Sequence, residues 1–147
     1  MAFIDIDAVP KFEVLPGVRI RAPFGKNLML SYLEMDEKAV VPLHCHPHEQ
    51  GGILLKGKME LTIGDEVRIV EPGAMFIIPP HTYHKAVAVR GPVVALDIFS
   101  PVREDYAGLY NKYIGTTDVS EVNHSEVRRR VWTVQEANAS RERERKA

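Results

Sequence analysis

The sequence predicts an all-β, single-domain antiparallel barrel or sandwich followed by short C-terminal helical segments. Three observations predict it. From Val18 to Phe99 short apolar or alternating runs are cut by turn residues. Within that stretch Lys58-Met59-Glu60-Leu61-Thr62-Ile63 alternates cleanly, with Met, Leu and Ile on one face and Lys, Glu and Thr on the other. Beyond Pro101 the period-two pattern gives way to helix formers. A chain of 147 residues, 45% of them hydrophobic, fits one domain with one core. The expected division is an N-terminal arm or edge strand over 1–20, a β-barrel over 21–100, a helical extension over 101–139 and a disordered tail over 140–147.

Taken in order, Gly51 to Leu55 is expected to pair with the Lys58 strand across a tight Lys56-Gly57 turn, and Gly64-Asp65 to turn into Glu66-Val67-Arg68-Ile69-Val70. Pro72-Gly73 ends that strand and opens Ala74 to Ile78, after which Pro79-Pro80, unable to donate ladder hydrogen bonds, marks a strand end or corner. Tyr83 to Val89 forms the next strand. After Gly91-Pro92, Val93 to Phe99 reads as a strand buried on both sides. Asp97 interrupts that run and by alternation shares a face with Ala95 and Phe99. A carboxylate there is costly unless it is paired, hydrogen-bonded or facing a wet cavity. A structural ion pair, for instance with Arg103, and a functional role carry equal weight. From Arg103 to Tyr113 the spacing of Tyr106, Leu109, Tyr110 and Tyr113 predicts a helix with one apolar face. Val127, Val131 and Val134, with Trp132 beside them, suggest a second helix or packed tail, and the charged ending from Ser140 a disordered one.

Nineteen basic against twenty acidic side chains leave a formal charge of -1, which argues against nucleic acid and membrane surfaces and for a small-molecule partner. Arg128-Arg129-Arg130, near Glu121 and Glu126, reads as a solvated face. Cys45 is the only cysteine, so no intramolecular disulfide and no thiolate zinc cluster can form. The amino terminus lacks a basic, then apolar, signal pattern, and no stretch is long enough to span a bilayer, which together predict a cytoplasmic protein.

His44 and His46 carry the chemistry. Residues two apart on an extended strand point the same way, so two imidazoles can grip one cation. Gln50 keeps that parity, and the turn after Pro79-Pro80 brings His84 in from a neighbouring strand. Cys45, between the histidines, should point away and pack as an apolar side chain. Pro47 breaks the parity before His48, which favours a supporting or solvent role over ligation. Glu49 is offset from the ligand face. His81 and Tyr83 are turn-packing residues or line the barrel mouth, and His124 reads as a surface histidine.

The chain resembles the cupin superfamily through two motifs. His44-Cys45-His46, three residues, Gln50, six residues, Gly57 fits the first, and Gly73, Pro79 and His84 fit the second. Three positions depart from the pattern. Lys38 stands where the first motif has Gly, so no glycine-dependent turn is expected there; His81 replaces the Gly of the second motif and Ala88 its final Asn. Gln50 in the usual glutamate position exchanges an anionic ligand for a neutral amide oxygen. The run His44-Cys45-His46-Pro47-His48-Glu49-Gln50, together with Asp97-Ile98-Phe99-Ser100-Pro101-Val102-Arg103-Glu104-Asp105-Tyr106, resembles the KdgF group of pectin-degradation cupins.

That resemblance implies a jelly-roll barrel and a single divalent transition-metal ion (Zn, Ni, Mn, Fe, Co or Cu) held by His44, His46, Gln50 and His84. It also implies functional roles for Asp97, Phe99 and Arg103, and an enzyme that ring-opens and ketonises 4,5-unsaturated monouronates from pectin or alginate. In that reading Asp97 moves protons, Arg103 meets the substrate carboxylate or tunes Asp97, and Phe99 shapes the apolar side of the sugar. A metal-dependent cupin dioxygenase and a non-catalytic sugar- or small-molecule-binding cupin are the alternatives. The apolar amino-terminal segment and exposed barrel edges favour a homodimer.

Overall fold

The structure, a computed structural model, describes residues 3–114, with side chains described through Tyr110. The second helix expected around Val127, the basic run at Arg128, His124 and the tail from Ser140 lie outside the described residues. Eight strands and one helix follow a short 3-10 turn at Ile6–Ala8. The strands are β1 (Phe12–Leu15), β2 (Val18–Arg21), β3 (Met29–Met35), β4 (Val40–His44), β5 (Glu49–Ile63), β6 (Glu66–Val70), β7 (Met75–Ile78) and β8 (His84–Ser100); α1 spans Glu104–Ile114. All pairings are antiparallel, in the order β1-β2-β3-β8-β5-β6, with β4 on β8 and β7 on β5. The architecture is the expected all-β jelly roll, although the ladder path does not close into a ring among the described residues.

Two strands run through both layers. The first part of β5 pairs with β7 and the second with β6. The last part of β8 pairs with β3 and the first with β4. One layer is therefore β1-β2-β3-β8-β5-β7 and the other β4-β8-β5-β6. Between them pack Val18, Ile20, Met29, Leu33 and Met35 from the first layer and Met59, Leu61 and Ala86 from the second. Strand β3 shows how sequence sets this: Met29, Ser31, Leu33 and Met35 are buried while Leu30, Tyr32 and Glu34 face out.

Two expected turns are bends instead. Lys56-Gly57 does not reverse the chain, because β5 continues across it and stays paired with β8, with register shifts between Leu54 and Met59. Gly57, at φ +85°, is the hinge of this bend; a Cβ there would lie 2.5 Å from the Pro92 carbonyl oxygen, so the facing backbone needs glycine as much as the dihedral does. Likewise the two strands expected on either side of Gly91-Pro92 form the single strand β8. A local turn signal cannot distinguish a reversal from a bulge when the partner strand bends alongside. The Gly64-Asp65 hairpin forms as expected, with Ile63 opposite Glu66. Helix α1 starts one residue later than Arg103, with Glu104 and Asp105 in its first turn where the helix dipole favours acids, and Tyr106, Leu109 and Tyr110 face the core. No described helix is long and apolar enough to cross a membrane.

Lys38 overturns a second expectation. It lies at φ 69° and His81 at φ 61°, the only positive-φ residues other than glycine among the described residues. The left-handed turns of the two motifs persist after their glycines are replaced, because hydrogen bonds enforce them: Lys38 N donates to Ala88 O at 2.7 Å and His81 N to His46 O at 2.8 Å. A left-handed non-glycine residue costs roughly 1–2 kcal/mol, partly offset by the lower entropy of its unfolded chain. Lys38→Gly is therefore expected to leave stability unchanged or raise it by up to about 1 kcal/mol. Gly57→Ala, forced into a left-handed and overfilled position, should lose about 1–3 kcal/mol. Urea unfolding of both variants checks the pair, and a stabilised Gly57→Ala would refute the bend described above.

Candidate metal centre

Three imidazoles converge where β4, the loop before β5 and the start of β8 meet. His44 ends β4, His46 follows it by two residues, and His84 opens β8 directly opposite His44. One ligand atom from each lies within 4.8 Å of the others, and the ring centroids of His44 and His84 are 4.1 Å apart. His46 and His84 are buried and His44 is half-buried.

The ring orientations follow from the backbone. In each imidazole Nδ1 meets a main-chain carbonyl: His44 to Pro42 O at 2.8 Å, His46 to His48 O at 3.0 Å and His84 to Thr82 O at 2.8 Å. A carbonyl only accepts, so Nδ1 carries the proton and Nε2 presents a lone pair. Burial is the largest cause holding these rings neutral, lowering His44 to about 3, His46 to about 2 and His84 to about 4, and the Arg103 guanidinium pushes each the same way.

Two features fit a cation at this point. His84 Nε2 is buried without a hydrogen-bond partner. His46 Nε2 lies 3.1 Å from Gln50 Oε1, which sets two acceptors facing each other. The Gln50 amide also hydrogen-bonds Asp97, and only its N–H group can donate to a carboxylate, which directs the oxygen at His46. Convergent acceptors with no proton between them are what a metal ion satisfies, and an all-nitrogen and oxygen set suits a divalent transition metal. The His44, His46 and His84 triad could hold such an ion.

Asp97 lies beyond Gln50 on β8, paired in register with Ser31 on one side and Gly52 on the other. A Cβ at position 52 would collide with the Phe76 ring and the Asp97 carboxylate, so glycine makes room for both. Burial pushes the Asp97 carboxyl up to about 7, against the Gln50 hydrogen bond and the Arg103 charge, which lower it. His44, Gln50, His84, Asp97, Phe99 and Arg103 all line one cavity inside the sandwich.

The ion pair between Asp97 and Arg103 weighed from sequence does not form. Arg103 instead grips Asp105 in bidentate fashion, Nε to Oδ1 at 3.1 Å and Nη2 to Oδ2 at 2.7 Å. Its guanidinium lies 3.8 Å from the Tyr106 ring centroid and 5.0 Å from that of Phe99. Burial opposes the charge, but Tyr106 and Asp105 outweigh it and Arg103 stays protonated. The same guanidinium holds the Asp105 carboxyl below the usual range despite its burial. Asp105 and Tyr106 were missed as site residues because a helical pattern hides polar contacts made by its first turn. His48, fully buried, meets Glu104 through Nε2 at 3.1 Å and accepts from His46 through its carbonyl, so it supports the cluster without joining it. Glu49 and His81 are exposed, and Cys45 is buried.

Residues 31–99 match the family model of the cupin domain. The structure of KdgF from Halomonas sp. is 31% identical, with a TM-score of 0.68 over 72% of this chain and 98% of that one. The chain belongs to the cupin superfamily and is KdgF-like within it. This cupin is also 28% identical over 106 residues to the pectin degradation protein KdgF of Dickeya dadantii (strain 3937), covering 71% of this chain and 96% of that protein. An RmlC-like cupin from Shewanella frigidimarina is 25% identical with a TM-score of 0.68, over 72% and 96% of the two chains.

Ligand loss should be graded. Alanine at His44, His46 or His84 removes a convergent lone pair and should weaken binding of a divalent transition metal more than the roughly 10–100-fold expected for a supporting residue such as His48. Calorimetric titration of nickel or zinc into each purified variant measures this. Equal losses for His48→Ala and His84→Ala would contradict the geometry.

Proposed function

We propose that this cupin converts 4,5-unsaturated monouronates, released in pectin or alginate breakdown, to their linear ketonised form with the aid of one divalent transition-metal ion. The observation that carries this reading is Asp97, a buried carboxyl poised near neutrality, hydrogen-bonded to Gln50 and facing the cavity that the histidines line. The likeness to a pectin degradation protein supports the substrate class.

His44, His46 and His84 through Nε2 and Gln50 through Oε1 are the residues that would hold the ion. Held by four neutral donors, such an ion would keep its full charge and would supply Lewis acidity. The chain's own groups do the rest. Opening the ring and ketonising the product moves a proton between oxygen and carbon, and a carboxyl near pKa 7 can both give and take one at neutral pH. The amide N–H of Gln50 fixes the carboxylate that does so, and Gly52 leaves it room. The permanent charge of Arg103 attracts the uronate carboxylate, while Asp105 holds the guanidinium edge that would otherwise be free to swing. Phe99 and Phe76 give the cavity apolar walls that exclude water from the sugar. A set without a carboxylate also departs from the two-histidine, one-carboxylate triad of iron oxygenases.

The test incubates metal-loaded protein with lyase-generated unsaturated uronates and follows the decay of their ultraviolet absorbance. Asp97→Asn should keep its metal stoichiometry and lose about 10²–10⁴-fold in kcat. Wild-type turnover no faster than the spontaneous decay would sink the reading, and full activity in Asp97→Asn would remove Asp97 from the chemistry. Asp105→Asn should raise KM more than it lowers kcat, with Asp105→Glu partly restoring it, since it acts through the placement of Arg103; a pure loss of kcat would contradict that role.

A further inference from the structure

Strand register places Gln50, Asp97 and Phe99 on the cavity wall, and the pairing of β4 with β8 places His44 and His84. Arg103 lies beyond the end of β8, outside every ladder. Its carbonyl accepts from Ala107 N at 2.9 Å, so α1 sets its backbone position. The bidentate contact with Asp105 orients the guanidinium, but both partners belong to the same stretch of chain and cannot fix that stretch against the barrel. The contact of Arg103 with the Phe99 ring, at 5.0 Å, is broad and weakly directional. Further along the helix, Tyr110 ties α1 to Ala22 N and Pro10 O. At the first turn a directional tie runs from Glu104 Oε2 to His48 Nε2, 3.1 Å apart.

His48 is 1% exposed. A carboxylate only accepts, so Nε2 carries the proton and Nδ1 is bare, the reverse of the tautomer in His44, His46 and His84. The bare Nδ1 is buried without a hydrogen-bond partner, a cost that an apolar side chain of similar size would not incur. What the imidazole adds over such a side chain is the bond from Nε2. Its main chain works in the other direction, since the His48 carbonyl accepts from His46 Nδ1 at 3.0 Å. One residue thus holds a ring of the histidine cluster with its backbone and the first turn of α1 with its side chain.

We propose that His48 and Glu104 are positioning residues for Arg103: their hydrogen bond sets the distance from the guanidinium to the histidine cluster, and with it the length of sugar acid that can meet both at once. This rests on the reading above in which Arg103 receives the uronate carboxylate. A hydrogen bond to a carboxylate is short and strong, which suits a tie that must not slacken. A sugar ring is stiff, so a shift of about 1 Å in the helical turn can cost up to about 100-fold.

Calorimetric titration of galacturonate into zinc-saturated protein tests this without turnover, beside KM and kcat for lyase-generated unsaturated uronates. Glu104→Ala, at a half-buried position, and His48→Leu are each expected to raise the galacturonate Kd and the KM about 10–100-fold while kcat falls less. His48→Gln, which can return an N–H to Glu104, should recover most of the loss. The two losses should not add in the double variant, and with Arg103 already alanine Glu104→Ala should cost less than about twofold in kcat/KM. The zinc affinity of Glu104→Ala should stay within about twofold of wild type, because Glu104 meets His48 and not the three convergent rings. An unchanged galacturonate Kd and KM in Glu104→Ala, or a loss in the Arg103→Ala background as large as in wild type, would overturn the proposal and leave the pair a structural clip. A wild-type chain that binds galacturonate yet does not hasten the decay of unsaturated uronates refutes the conversion and not the positioning, which the Kd series decides. One that binds no galacturonate overturns the positioning as well.

Discussion

The β5–β8 ladder is the constraint from which the other elements hang. It pairs Glu49 with Ser100 at one end and Ile63 with His84 at the other, passing from one layer into the next through the register shifts around Gly57. Every other strand except β1 and β2 is hydrogen-bonded to one of these two. The same ladder sets Gln50 opposite Phe99 and Gly52 opposite Asp97. A one-residue slip would turn each of those side chains to the other face, so the register of a structural ladder and the geometry of the site are one requirement.

Around the histidines, backbone carbonyls do what carboxylates do in many metal sites. Three main-chain oxygens fix three tautomers, and the strands and turns that supply them are themselves tied down, as His81 N is to His46 O. The charges stand one layer further out. Arg103 and Asp105 form an ion pair beside the cluster, while burial raises the Asp97 carboxyl to about 7. The donor atoms are therefore uncharged, with ionisable groups within reach of whatever binds beside them.

How far the sequence could be read depends on whether a feature is local. The alternating strands, the Gly64-Asp65 hairpin and helix α1 were legible because side-chain period and turn chemistry act over a few residues. The bends at Gly57 and Gly91 were not, since glycine permits a reversal and a bulge alike and the facing strand decides between them. Lys38 makes the same point in reverse: its residue type argued against a left-handed turn, and a hydrogen bond to the distant Ala88 carbonyl holds one there.

The sequence by itself determined the all-β class, the His44, His46, Gln50 and His84 pattern and the odd carboxylate at Asp97, because spacing and residue chemistry are properties of the chain. Tertiary structure decided what those residues face. It brought His84 to His44 across a ladder, left Asp97 to hydrogen-bond Gln50, and gave Arg103 to Asp105. It also left Met75, Ile77 and Ile98 exposed on their strands. Each of these depends on register and distance between segments far apart in sequence, and no local pattern encodes those distances.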